Sequence, residues 1–98
     1  MGATVDVGYV WDASKYSRVK RRHRVVFGEV VDVFEDAETQ FADDPAGHWS
    51  RAMAIGQTRS GRILQVIFSE EEAPLVRVIT AFEASKERRD EYLERRRA

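Results

Sequence analysis

Four side chains carry the chemistry that a fold would have to assemble: His23, Arg51, Arg77 and Tyr92. Histidine and tyrosine move protons, and the guanidinium of arginine grips a phosphate through a planar, two-pronged fork. Such a set suits cleavage of RNA without a metal. That reaction needs a base or positioning group at the ribose 2′-hydroxyl, cations on the phosphate, and an acid for the leaving oxygen. Each residue also has a structural reading. His23 can be a packed, hydrogen-bonded histidine, Arg51 and Arg77 partners of acids at a sheet surface, and Tyr92 a core residue with a satisfied hydroxyl. No metal or cofactor is expected, because the sequence has no phosphate-binding glycine loop, no His-Glu-x-x-His pair and no nucleophile elbow. Asp43-Asp44 reads as a solvated loop rather than a cation site. His48-Trp49 reads as an anchored loop, with stacking on a base as the alternative.

The elements that must position these residues belong to a chain of 98 residues, the size of one domain spanning residues 1–98. Hydrophobic residues make up 43% and charged residues 34%, which suits a small core under a heavily charged surface. No apolar run is long enough to span a bilayer, the N-terminus lacks the pattern of a signal peptide, and there is no cysteine. A cytoplasmic protein with no membrane partner is expected. The net charge of −1 hides a segregated pattern. Residues 15–24 hold Lys15, Arg18, Lys20, Arg21, Arg22 and Arg24 without an acid, while residues 25–50 hold only acids among their charges. One basic surface could attract a polyanion, and an ordinary solvated helix face is the competing reading.

Periodicity predicts a first strand from Val5 to Trp11, with Val5, Val7, Tyr9 and Trp11 on one face. Asp12 then caps a helix to about Arg24, in which Tyr16, Val19 and His23 form an apolar stripe beside Lys15, Arg18 and Arg22. A second helix fits Phe27 to Phe34, and residues 43–47 read as a loop. Strands follow at 51–56, 62–69 and 75–82, the first two joined by a hairpin turn at 57–61. Ser85 caps a last helix, held by Tyr92 and Leu93. The expected fold class is α+β, in the order β-α-α-β-β-β-β-α, with an antiparallel sheet packed against helices.

The same residues, in the same order, resemble a known family. Trp11-Asp12-x-x-Lys15, His23 after Arg22, the aromatics Phe27 and Phe34, Arg51 with Ile55-Gly56, Arg77-Val78-Ile79-Thr80-Ala81 and Tyr92 are similar to the motifs of the BrnT ribonuclease toxins. The resemblance covers roughly residues 9–94. It implies a RelE-like fold, metal-independent endoribonuclease activity that arrests translation, and an RNA substrate. It also implies a BrnA-like antitoxin with a ribbon-helix-helix DNA-binding region, so that operator DNA is reached only through the antitoxin. His23, Arg51, Arg77 and Tyr92 are then the expected catalytic residues. Lys15, Arg22, Arg59, Arg62, Thr80 and Arg88 are the expected RNA contacts. Four positions depart from the family pattern: Val19 replaces asparagine, Arg24 glycine, Phe82 arginine and Arg88 glutamate.

Two alternatives stay open beside the toxin reading. A catalytically weakened relative would act as an antitoxin-binding module in operon regulation, and Phe82 is the residue that favours it. A nucleic-acid-binding protein would use the basic face of residues 15–24 without cleaving.

Overall fold

The structure, a computed structural model, describes residues 3–6 by their backbone and residues 8–97 in full. In chain order the elements are β1 (Ala3–Asp6), β2 (Tyr9–Asp12), α1 (Ala13–His23), α2 (Phe27–Glu35), β3 (Gln40–Asp43), β4 (Arg51–Gln57), β5 (Ile63–Ser69), β6 (Val76–Glu83) and α3 (Lys86–Arg97). The strands form one six-stranded sheet in the order β1-β2-β6-β5-β4-β3. This is the α+β arrangement expected, with two differences.

The single strand expected from Val5 to Trp11 is instead an antiparallel pair, β1 and β2, with Asp6 opposite Tyr9. Gly8, at φ +83°, turns the chain between them, a conformation that costs glycine nothing. Val7 and the side chain of Val5 lie outside the described residues, so the shared face expected of them does too. The second difference is that β2 pairs with β6 in parallel, which makes the sheet mixed rather than antiparallel. Two helices and three strands separate these two strands in sequence, ample length for the crossover that a parallel pair requires. The fourth strand expected after the helices is β3, at the sheet edge.

Alternation along the central strands divides the sheet into two faces. Ala54, Leu64, Val66, Phe68, Val78 and Ala81 pack under α1 and α2, against Trp11, Val19, Val25, Phe27, Val30 and Val33. On the other side Met53, Ile55, Ile63 and Ile67 meet Tyr92 of α3. The helix boundaries follow local chemistry. Asp12 accepts the Lys15 amide at 3.0 Å to open α1, and Ser85 accepts the Arg88 amide at 3.3 Å to open α3. Within α1, Tyr16 is half-buried and Val19 buried, but His23 is exposed, so the expected apolar stripe stops one turn early.

Gly56 shows how closely α2 approaches the sheet. A Cβ there would lie 2.9 Å from the Val33 carbonyl oxygen and 2.6 Å from Thr39 Oγ1. Gly56→Ala is therefore expected to destabilise the fold by about 1–3 kcal/mol, since the backbone carbonyl must move. Urea denaturation measures the loss, and an unchanged midpoint would contradict this packing.

Candidate active site

On the face shared with α3, three residues stand in a row across neighbouring strands. Arg51 of β4 is opposite Ser69 of β5, which is opposite Arg77 of β6. Two strand spacings put the backbones of the arginines roughly 10 Å apart. Their side chains are in different states. Arg77 grips Glu72 through two nitrogens, with Nη2–Oε1 at 3.0 Å. That contact raises the Arg77 pKa and holds the Glu72 carboxyl below its ordinary value. The half-buried Arg51 has no ion-pair or side-chain hydrogen-bond partner among the described residues. A cation held by a strand and left unpaired is available to an anion from outside.

Arg51 lines an open depression of about 270 Å³, along with Asp44, His48, Ile67, Thr80 and Phe82. A bulge in β6 shapes its wall. Thr80 pairs with Ile67 but Val78 with Phe68, so Ile79 is an extra residue, and both Ile79 and Thr80 line the depression. Phe82 carries the wall on to His23, whose ring centroid is 5.9 Å from the phenyl centroid. The end of helix α1 thus sets His23 against Phe82, outside the lining of the depression.

The rim opposite comes from the segment between β3 and β4. The Asp44 side chain is only 5% exposed and spends both oxygens: Oδ1 accepts the Ala46 amide at 2.9 Å, and Oδ2 contacts His48 Nδ1 at 2.9 Å. The Ala46 amide, and then the imidazole, hold the carboxyl below its ordinary value against the opposing effect of burial. An ionised carboxylate only accepts, so the proton of this contact belongs to Nδ1. A second depression on the other side of His48 shares Asp44, His48 and Arg51 and is bordered by Trp49. Trp49 is 91% exposed, a bare aromatic face beside a cation.

The sequence model of the ribonuclease toxin BrnT, of type II toxin–antitoxin systems, matches residues 11–88. The chain belongs to the BrnT family. It is a ribonuclease toxin of that class, with RNA as its substrate and an antitoxin as its partner. Its fold is similar to the crystal structure of the Brucella abortus ribonuclease toxin BrnT, with a TM-score of 0.62 and 23% identity over 78% of this chain and 94% of that one. No curated protein matches it.

Of the residues singled out in this BrnT sequence, the structure brings Arg51 and Thr80 to one depression, sets Arg77 in register with Arg51 across Ser69, and leaves His23 outside the lining, against Phe82. It does not bring Tyr92 there. Tyr92 is fully buried, its hydroxyl donates to Asp36, and it accepts Arg96 Nη1 at 3.1 Å. Asp36 also accepts the amide of Gln57, at the opposite end of β4 from Arg51 and so roughly 20 Å away along the strand. Arg62 is occupied as a clamp. Its Nη1 donates to Glu29 at 3.0 Å and to the Arg24 carbonyl at 2.8 Å, tying α1 to α2. Arg59 pairs with Asp32 and Glu35, and Arg88 lies 3.7 Å from Glu91. Lys15 and Arg22 are exposed on α1.

Two departures from the family pattern acquire a physical meaning. Arg24, at the position of the family's glycine, holds φ +54°, a left-handed conformation that costs a non-glycine residue about 1–2 kcal/mol. Phe82, at the position of the family's arginine, puts an aromatic wall where a cation would stand. His48 and its support Asp44 were not among the site residues expected from sequence. The Asp-x-x-x-His spacing and the proximity to Arg51 were the available signal.

No helix is long and apolar enough to cross a membrane among the described residues.

Proposed function

We infer that this single-domain BrnT toxin is a metal-independent endoribonuclease that cleaves RNA in the cytoplasm and thereby arrests translation. The observation carrying this reading is the unpaired guanidinium of Arg51, at a depression that His48 also lines. Arg51 supplies positive charge to the phosphate, and Arg77 adds to it by exchanging Glu72 for the substrate. His23 transfers a proton, Thr80 contacts the RNA within the depression, and the exposed Lys15 and Arg22 steer the polyanion. Tyr92 supports the fold around them. The antitoxin is BrnA-like, with a ribbon-helix-helix DNA-binding region, and the toxin meets operator DNA only through it.

Incubation of the purified toxin with total RNA in excess EDTA tests the reading. Cleavage products ending in 2′,3′-cyclic phosphate are expected. Intact RNA would overturn metal-independent cleavage and favour the reading that Phe82 supports, a weakened relative that only binds its antitoxin.

A further inference from the structure

We propose that His48 is the general base of the cleavage reaction and that Asp44 is its positioning residue. The proposal deepens the ribonuclease reading and rests on it. Three observations carry it. The Asp44 carboxylate is buried and anchored by the Ala46 amide, so it is a fixed acceptor rather than a mobile surface charge. His48 Nδ1 meets it at 2.9 Å, while 54% of the His48 side chain remains exposed. With the proton on Nδ1, the neutral ring keeps its lone pair on Nε2, the form a proton acceptor needs. Finally, His48 and Arg51 both line the two depressions and so form a ridge between them, with the bare Trp49 on one side.

An RNA strand crossing that ridge would place a phosphate at Arg51 and stack a base on Trp49, leaving the adjoining ribose within reach of His48. The step balances as a transesterification. The 2′-hydroxyl proton passes to His48 Nε2 while its oxygen forms a bond to phosphorus. The bond from phosphorus to the 5′ oxygen breaks, and that oxygen takes the proton that His23 transfers. The products are a 2′,3′-cyclic phosphate and a 5′-hydroxyl. The sequence shows the Asp-x-x-x-His spacing but not that the carboxylate is buried.

The test compares wild type, His48→Ala and Asp44→Asn on an oligoribonucleotide, after circular dichroism has shown each to be folded. His48→Ala is expected to lower kcat by about 10²–10⁴-fold with KM little changed. Added imidazole should restore part of that rate. Asp44→Asn keeps an oxygen for the Ala46 amide but offers an N–H to the ring, moving the ring proton to Nε2. It should lower kcat without imidazole rescue. A substrate with sulfur as the 5′ leaving atom departs without protonation, and it should leave the His48→Ala defect in place. If sulfur removes the defect, His48 is an acid and the assignment as base is wrong. If folded His48→Ala cleaves like wild type, or only its KM rises, the assignment falls while the ribonuclease reading stands. If wild type itself leaves the substrate intact, the ribonuclease reading fails and takes the assignment with it.

Discussion

Arg51→Ala is expected to lower kcat/KM for RNA by roughly 10²–10³-fold, about the loss seen when one preorganised donor to a transition-state charge is removed. The same substitution should change unfolding stability by no more than about 0.5 kcal/mol, because no partner among the described residues is left behind. This separation is what distinguishes Arg51 from Arg62, whose guanidinium holds Glu29 and a helix-end carbonyl. Arg51→Lys restores the charge but not the planar fork, so intermediate activity is expected. Wild-type cleavage by Arg51→Ala would remove the residue on which the site is built.

The second large effect is on stability. Burial, reinforced by the Asp36 carboxylate, pushes the Tyr92 phenol up to about 12 from 10.0. A proton held more tightly in the folded state stabilises the fold fully below pH 10. That contribution, on the order of 2–3 kcal/mol, is lost as the pH climbs through about 12. Asp36 has the opposite dependence. Burial works against its ionisation, but hydrogen bonds from Tyr92, Gln57 and Glu38 outweigh it and hold the carboxyl below its ordinary value. Its contribution is therefore present above the ordinary carboxylate range and lost as the pH falls through the lowered value. Chemical denaturation from pH 8 to 12 should show the alkaline loss in wild type and a flatter profile in Tyr92→Phe. Equal alkaline slopes would place the titration elsewhere. Tyr92→Ala, which also empties a fully buried site, should cost about 3–5 kcal/mol.

Tyr92 also marks where the sequence is legible and where it is not. Its place in the core was readable because Tyr92 and Leu93 are the apolar residues of an otherwise charged last helix, and the other helices and the hairpin of β4 and β5 followed from periodicity, Asp12 and Gly61. The parallel pairing of β2 with β6 was not readable, because it depends on where two distant segments meet. Nor was the bulge at Ile79, which turns two consecutive residues toward one side within an otherwise alternating strand. The site has the same division. Arg51 was found through its residue type and motif, whereas its freedom and Arg77's engagement with Glu72 depend on side-chain geometry. His23 was placed on an apolar stripe, but α1 ends there and leaves it against Phe82.

The strand order has a consequence for synthesis. β6 sits between β2 and β5 in space, yet it is the last strand to be made. Until it emerges, β2 and β5 have no bridge, and the depression lacks Ile79, Thr80 and Phe82. A nascent or prematurely terminated chain therefore carries the basic helix and Arg51 but no assembled cleft. The ribosome that makes this toxin must translate through β6 before the depression at Arg51 can exist.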